Sequence, residues 1–284
     1  MIISSNYYVN LEATLFSGQC FRWISDPPWF YGVISNNLIK IREHPKGIEF
    51  FSTPTSETLL KDKIAEYFNL DENLDHIYSC INSDSRINTS IHLFQGMRIL
   101  TQDPWECLIS FICSSASNIK KIRRNIDSLT QYFGNKLYLD QQILNTFPTI
   151  QNIAEIDEDI LRNLGLGYRS KYIKSTAQTI LNQKIKIRTW ENLNYQEGLD
   201  QLVYFKGIGD KIANCILLFS LNKKEAFPVD RWIEQILRNY YLTKSENKSL
   251  KTTASLRLWG MNHFGKYAGY ANHYLFHYFR TQNK

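Results

Sequence analysis

The sequence predicts a small α+β domain followed by a larger all-helical domain. Short segments rich in aromatic and β-branched residues occupy the first fifty positions and alternate with turn residues, which is typical of an antiparallel meander. After Pro54 the apolar residues recur at helical spacing, and from about Gly96 onward we predict helices only. We therefore assign residues 1–97 to the first domain and residues 98–284 to the second.

Four strands are predicted in the first domain, and a turn signal rich in Pro, Asn, Ser or Gly separates each from the next. The predicted strands cover residues 20–24, 29–34, 38–42 and 48–51. Two helices should follow them. Leu60, Ile64 and Phe68 recur at four-residue intervals and predict the first helix, and the second is expected around residues 77–81.

The second domain opens with a clear helix start. Asp103 is a favourable N-cap residue, and Pro104 occupies the first helical position, where its missing N–H costs nothing. We expect further helices over residues 115–133 and 161–166, the latter ending at Gly167 before a helix restarts.

Composition narrows the class of protein. Hydrophobic residues make up 43% of the chain and the formal net charge is +6, so we expect a globular, mildly basic protein. The five cysteines are scattered without paired metal-ligand spacing, and we therefore expect neither a metal nor another cofactor. A signal peptide and an apolar run of membrane length are both lacking, so we expect an intracellular protein without a membrane partner.

The most informative motif is Gly207-Ile208-Gly209, which lies between two apolar helical segments. Glycines permit a tight turn and let a DNA backbone approach the N–H groups, while Ile208 would anchor the turn in the core. Such a helical hairpin grips phosphates without reading the base sequence. A plain helix-capping turn between two packed helices is the simpler alternative.

Two residues on the following helix extend the motif. Lys211 lies in the first helical turn, where the partial positive charge of the helix end disfavours an ammonium ion and so favours a nucleophilic amine. A lysine that only contacts phosphate is the alternative, and position alone does not separate the two. Cys215 is four residues further on the same face, so we expect it to line the same pocket or to be a buried structural thiol.

An aspartate follows soon after. Asp230 comes directly after Pro228 and Val229 and precedes an apolar helix, so a capping role is expected. Capping does not exclude function, because a carboxylate at a helix N-terminus should stay ionised. An ionised carboxylate is what a developing cationic sugar carbon requires nearby.

Together these motifs resemble the HhH-GPD superfamily of base-excision DNA glycosylases, and within it the eukaryotic-type 8-oxoguanine DNA glycosylase/lyases. Four further segments are similar to that family and spread the resemblance over nearly the whole chain: residues 17–23, 102–115, 164–172 and 266–271. The resemblance implies a TBP-like antiparallel sheet with helices in the first domain and a helix-hairpin-helix glycosylase domain after it.

The resemblance also implies roles for single residues. Lys211 is the implied nucleophile and Asp230 the catalytic carboxylate. Cys215 and Phe276 would sandwich the flipped base, and the Gly18 carbonyl would accept the N7–H that 8-oxoguanine has and guanine lacks.

Further implied positions contact the DNA around the lesion. Tyr168 is expected to wedge into the gap that the flipped base leaves, and Arg169 to meet the unpaired cytosine. Asn118 and Lys121 belong to the loop and helix that should face the opposite strand.

Three positions depart from the family pattern. Asn272 replaces a glutamine that faces the base, and Trp232 replaces a histidine two residues after the aspartate. Ala116 and Lys121 replace an asparagine and an arginine that read the opposite cytosine.

We therefore expect a monomer that flips 8-oxoguanine out of double-stranded DNA, removes it through a lysine Schiff base, and nicks the abasic site by β-elimination. Excision of other damaged purines is the alternative enzyme function. A DNA-binding module without catalysis is the alternative from another class, and it would leave Asp230 and Gly18 without a role.

Overall fold

Alternating apolar residues and tight turns build a five-stranded antiparallel sheet in the first part of the chain. The computed structural model describes residues 1–282. The strands are β1 (Ile2–Ser4), β2 (Ile24–Asp26), β3 (Trp29–Ile34), β4 (Asn37–His44) and β5 (Gly47–Thr53), in the spatial order β1-β5-β4-β3-β2. Strands β2 to β5 pair with their neighbours in sequence, so the predicted meander is confirmed.

The first predicted strand is misplaced, because β2 begins only where residues 20–24 end. The alternation that suggested a strand has another cause. Phe21 is buried in the helical core, whereas Cys20 and Trp23 are buried in the core beneath the sheet. The segment crosses between two cores, and its side chains alternate between them without strand pairing.

Four helices accompany the sheet: α1 (Leu11–Phe16), α2 (Glu57–Tyr67), α3 (Leu74–Ile81) and α4 (Ser85–Leu93). The two predicted helices correspond to α2 and α3, whereas α1 was not predicted. Leu60 and Ile64 of α2 pack beneath the sheet, but Ile77 of α3 and Ile87 of α4 are buried among the later helices. The helical core thus includes segments that precede residue 97. The division of the chain into two domains at that residue stays a prediction.

The rest of the chain is mainly helical. Its helices are α5 (Pro104–Cys113), α6 (Ile119–Phe133), α7 (Ile150–Glu155), α8 (Glu158–Leu161), α9 (Ser170–Asn182), α10 (Tyr195–Val203), α11 (Asp210–Phe219), α12 (Arg231–Tyr240), α13 (Lys244–Ser249), α14 (Thr253–Phe264) and α15 (Ala268–Gln282). Asp103 caps α5 as predicted, since its carboxylate accepts the N–H groups of Trp105 and Glu106.

The prediction of helices alone after Gly96 is wrong. A hairpin of two short strands, β6 (Lys136–Leu139) and β7 (Gln142–Asn145), interrupts the helices. Its turn contains Asp140, which has φ 52° and no adjacent glycine, so the usual hairpin signal is missing. Asp140 fastens the hairpin to the first sheet through Lys40 Nζ, 2.5 Å from its carboxylate.

Two helix bounds also differ from the prediction. Helix α6 begins at Ile119 and not at residue 115, because Ala116 adopts φ 45° and Asn118 caps the helix. Helix α8 ends at Leu161, and residues 162–166 form a π-helical turn in which Gly165 has φ 90°. The loop at residues 114–118 becomes part of the site described below.

Buried charged groups connect the first part of the chain to the helical part. Lys224 is 8% exposed, and its Nζ lies 3.0 Å from the Glu72 carboxylate. Tyr270 of α15 donates its hydroxyl proton to the same carboxylate. Arg98 is fully buried nearby and donates to the Asn69 carbonyl at 2.5 Å. These contacts fix α15 relative to the loop that follows α2.

The Glu72–Lys224 pair should be coupled energetically. Glu72→Gln leaves a buried ammonium without its counter-charge, and we expect a loss of about 3 kcal/mol in the free energy of unfolding. Adding Lys224→Met removes the unpaired charge, so the double variant should recover part of that loss. Urea unfolding of both single variants and the double variant measures the coupling. Simple addition of the two single losses would contradict it.

Candidate functional site

The loop between α10 and α11 forms a tight hairpin turn with an exposed backbone. Gly207 has φ 89°, and a Cβ there would lie 2.5 Å from the Tyr172 ring, so only glycine fits. Ile208 is 5% exposed and anchors the turn in the helical core. Gly209 precedes α11, and a Cβ there would meet no atom within 4 Å. The turn therefore presents backbone N–H groups at the start of a helix to an open surface, an arrangement suited to a phosphate.

Lys211 is held between two helices. It lies in the first turn of α11, and its Nζ donates to Ser114 Oγ at 3.0 Å. The Ser114 hydroxyl proton is itself donated to the Phe111 carbonyl at 2.7 Å, so the oxygen is left to accept from the lysine. The amine also lies 5.5 Å from the centre of the Phe111 ring. The C-terminal end of α5 thus orients the side chain.

Asp230 caps α12 and faces the same space. Its carboxylate accepts the N–H of Ile233 at 2.9 Å, which confirms the predicted cap. Burial raises the pKa of Asp230 above its ordinary value, although the backbone hydrogen bonds and the charge of Lys211 oppose the shift. The capping hydrogen bonds therefore favour the ionised carboxylate, and burial opposes them. Positive charge developing nearby would stabilise the ionised form.

The two side chains share the wall of a cavity of about 1170 Å³. The helix ends of α5, α11 and α12 line it together with the start of α6, α15 and the loop after α1. Its lining residues include Gly18, Ser114, Lys211, Asp230, Phe276 and Arg280. Trp232, Gly207, Gly209 and Asn118 also reach the cavity. This volume is of the size that accommodates a small organic ligand.

Gly18 lines the cavity beside Ile119 and Phe276. It has φ 100°, and a Cβ there would lie 3.1 Å from Ile119 Cδ1 and 3.4 Å from Phe276 Cε1. A larger residue would be strained and would also narrow the space beside the Phe276 ring. The glycine therefore keeps its backbone accessible next to an aromatic face.

Two predicted pocket residues are buried instead. Cys215 is 4% exposed, and burial raises the pKa of its thiol to about 11. Asn272 is 3% exposed, and its side chain donates to the Pro228 carbonyl at 3.0 Å. Neither lines the cavity in this structure. The shorter amide of asparagine is satisfied by the chain just before Asp230, so it supports that segment.

Arg169 also differs from its predicted placement. It is 3% exposed, and its guanidinium donates to the Ser115 carbonyl at 3.0 Å and to the Ala116 carbonyl at 3.1 Å. Tyr168 beside it is 46% exposed and donates to the Ser115 carbonyl at 3.1 Å. Arg169 therefore holds the 115–116 turn from within, and only the tyrosine ring is displayed at the surface.

The loop before α6 carries the remaining predicted positions. Asn118 is exposed, and its side chain accepts the backbone N–H of Lys121 at 2.9 Å as the N-cap of α6. The Lys121 side chain is exposed one turn further along. Asn118 lines the cavity, whereas Lys121 does not.

Two site residues were missed by the sequence analysis, although a signal for each was present. Ser114 lies within the segment 102–115 and ends α5, where a hydroxyl commonly meets a neighbouring helix. Arg280 is four residues after Phe276 and so shares its helix face.

Within residues 1–282 the structure contains no His, Cys, Asp and Glu cluster able to hold a metal ion. No helix in the same range is long and apolar enough to span a membrane.

Two family models match consecutive parts of the chain. Residues 1–108 match the model of the 8-oxoguanine DNA glycosylase N-terminal domain. Residues 109–261 match the model of the HhH-GPD superfamily base excision DNA repair proteins. The second match contains the hairpin, Lys211 and Asp230.

Individual proteins are similar over nearly the full length. The chain is 31% identical to an N-glycosylase/DNA lyase of Saccharomyces cerevisiae, covering 94% of this chain and 82% of that one. It is 30% identical to an N-glycosylase/DNA lyase of Arabidopsis thaliana, covering 94% and 76% respectively. A solved 8-oxoguanine glycosylase/lyase of Clostridium acetobutylicum, in complex with double-stranded DNA containing cytosine opposite 8-oxoguanine, superposes with a TM-score of 0.90. The two chains are 29% identical, and the match covers 100% of this chain and 99% of the other.

The raised pKa of Asp230 has a consequence for stability. The folded state binds the Asp230 proton more tightly than the unfolded chain does. Ionising Asp230 therefore lowers the free energy of unfolding. This loss is absent below the ordinary carboxyl pKa and appears as the pH rises through the folded-state pKa. Asp230→Asn keeps a good cap without a charge. We expect it to melt at or above the parent's temperature at pH 7, and the difference to shrink toward about pH 4.

Thermal unfolding at several pH values measures this effect. Asp230→Ala is the control, because it removes both the charge and the cap and should be less stable by about 1 kcal/mol than Asp230→Asn. A neutral-pH loss in Asp230→Asn as large as in Asp230→Ala would show that the carboxylate stabilises the fold.

Proposed function

The chain belongs to the HhH-GPD superfamily of base excision DNA repair proteins, and from this premise we propose that it excises 8-oxoguanine from double-stranded DNA and then cleaves the strand at the abasic site. One observation carries the proposal most directly. Lys211 and Asp230 share the wall of a cavity beside a hairpin turn that offers N–H groups to a phosphate. The enzyme is thus a DNA N-glycosylase and a DNA lyase, as its relatives' names describe them.

Access to the glycosidic bond requires base flipping. The bond lies inside the stacked duplex, so the damaged nucleotide must rotate out before a side chain can reach C1′. The hairpin turn would hold the backbone by phosphate contacts while Tyr168, which is 46% exposed beside Ser115, enters the vacated space. The cavity of about 1170 Å³ leaves room for the base and its sugar.

Lys211 is the proposed nucleophile. The neutral amine attacks C1′, the glycosidic bond breaks, and its electron pair leaves with the damaged base, which takes up a proton. The attached nitrogen then loses a proton, its lone pair forms the C1′=N bond, and the C1′–O4′ bond breaks with its electron pair and a proton going to O4′, which opens the sugar to a Schiff base. Because Ser114 Oγ accepts one N–H of the lysine, the nitrogen lone pair is directed away from α5 and into the cavity.

Asp230 acts on the charge that develops at the sugar. As the bond to the base breaks, C1′ gains cationic character, and a carboxylate in a partly buried site stabilises it more strongly than one in water. The Schiff base afterwards acidifies the proton at C2′. Loss of that proton expels the 3′ phosphate oxygen with the electron pair of the C3′–O bond, which nicks the strand.

Base recognition is proposed to use the part of the cavity that Gly18 and Phe276 line. The Gly18 carbonyl would accept the N7–H of 8-oxoguanine, whereas it would face the N7 lone pair of guanine. Phe276 would stack against one face of the base. Cys215, whose thiol is buried near Lys211, would pack on the other face.

Lys211→Gln should abolish covalent trapping. Borohydride reduces a Schiff base to a stable amine, so the parent protein should become linked to DNA containing 8-oxoguanine, and the variant should not. Ser114→Ala is a graded comparison, because it keeps the nucleophile and removes only its orienting contact, so its trapping should be slowed but not lost. Denaturing gel electrophoresis separates linked from free protein. Undiminished trapping by Lys211→Gln would assign the nucleophile to another residue.

The preference for cytosine opposite the lesion should be weak. Ala116 has no polar side-chain atom, Lys121 offers a flexible charge in place of a planar fork, and Arg169 is engaged with the 115–116 turn. A good base contact contributes roughly 1–3 kcal/mol, so losing one or two should compress the preference by roughly one to two powers of ten.

Single-turnover excision from four duplexes that differ only in the opposite base tests this expectation. The double variant Ala116→Asn with Lys121→Arg is the matched comparison and should widen the spread of rates in favour of cytosine. A parent enzyme whose rates already spread as widely as those of the double variant would contradict the expectation. That result would indicate that Asn118 and Ser117 contact the opposite base instead.

A further inference from the structure

One face of α15 supplies a group to the cavity that the proposed mechanism does not use. Asn272, Phe276 and Arg280 are spaced by four residues and therefore share this face. Asn272 is turned to the Pro228 carbonyl, so only the other two reach the cavity. The polar group that α15 presents to the bound base is thus Arg280.

The surroundings of Arg280 are poor in compensating charge. Its Nη2 donates to the Phe16 carbonyl at 2.7 Å and lies 3.0 Å from His277 Nδ1. Its Nε is buried and has no hydrogen-bond partner within residues 1–282. No carboxylate in that range forms an ion pair with it, and the guanidinium of Arg123 is near enough to oppose its charge.

Burial, and secondarily Arg123, lowers the pKa of Arg280 from its ordinary value. The guanidinium remains charged in any protein at neutral pH, so the direction of this shift reports a cation that is partly removed from water and lies near a second cation. Such a group is costly in the free protein, and an acceptor that arrives with a ligand would offset the cost.

The position of the guanidinium is close to the proposed base-recognition contact. Arg280 Nη1 lies 3.9 Å from the point that a Cβ of Gly18 would occupy. The guanidinium carbon lies 5.6 Å from the centre of the Phe276 ring. A base stacked on Phe276 with its edge toward Gly18 would therefore meet the N–H groups of Arg280.

The edge of 8-oxoguanine that contains N7 matches this arrangement. It presents the O6 acceptor, the N7–H donor and the O8 acceptor in a row. If the Gly18 carbonyl accepts N7–H, a donor immediately beside Gly18 faces one of the two flanking oxygens. Guanine presents only O6 and the N7 lone pair there, so the same pair of protein groups suits it less well.

We propose that Arg280 is a specificity-determining residue whose guanidinium donates to one of the carbonyl oxygens flanking N7–H of the flipped base. This inference rests on the proposed function and adds the donor that Asn272, held by Pro228, does not supply. A contact to a DNA phosphate is the rival role. The close approach to Gly18 and Phe276 favours the base over the phosphate.

The test compares Arg280→Met with Arg280→Lys. Loss of a base contact worth roughly 1–3 kcal/mol should slow single-turnover excision of 8-oxoguanine by about 5- to 150-fold in Arg280→Met, and Arg280→Lys should recover part of the rate. Arg123→Met removes a neighbouring guanidinium that does not line the cavity, and its rate should stay near that of the parent.

Measurements of DNA binding distinguish a contact of Arg280 to the base from a contact to a phosphate. In a Lys211→Gln background, which leaves the lesion uncleaved, adding Arg280→Met should weaken binding to an 8-oxoguanine duplex by a similar factor. Binding to the matched guanine duplex should not change. Equal weakening on both duplexes would overturn the proposal in favour of a phosphate role.

Arg280 also donates to the Phe16 carbonyl, so its replacement could destabilise the fold. The melting temperatures of the variants show whether a lower excision rate comes from unfolding. An unchanged excision rate in a folded Arg280→Met protein would overturn the inference alone. A parent protein that fails to excise 8-oxoguanine would instead refute the proposed function.

Discussion

The convergence of three helix ends on one cavity is the constraint on which the site depends. The C-terminal end of α5 contributes Ser114, the first turn of α11 contributes Lys211, and the cap of α12 contributes Asp230. None of these side chains is unusual by itself. Their chemistry follows from position, because helix ends carry partial charges and unsatisfied backbone groups that side chains must match. The hairpin turn at Gly207 fixes where α11 begins, and with it the reach of the lysine.

The sequence predicted the structure correctly where the residues of one short segment determine it. The caps at Asp103 and Asp230, the buried Ile208 and the three strands after β2 all follow from neighbouring residues. Contacts between distant segments were not predictable in this way. Arg169 turns inward because two carbonyls of the 115–116 turn lie beside it, and Asn272 turns away because Pro228 lies within reach. A sequence gives no distance between such partners.

The missed hairpin and the crossing segment show the same limit. The β6–β7 strands are four residues each, too short for alternation to be distinguished from a loop, and a contact to Lys40 from another part of the chain holds them. In the segment before β2, burial in two different cores imitated the pattern of a strand. Periodicity reports which side chains are buried, but not whether they share one core.

The direction in which the Ser114 hydroxyl donates its proton determines how Lys211 can bind to it. The hydroxyl donates to the Phe111 carbonyl, so its oxygen can only accept from Lys211, whether the lysine is charged or neutral. In the charged form this contact leaves two N–H groups pointing elsewhere, and in the neutral form it leaves one N–H and the lone pair. The same hydrogen bond therefore holds the side chain before and after deprotonation. The proposed nucleophile can therefore lose its proton and keep this contact with α5.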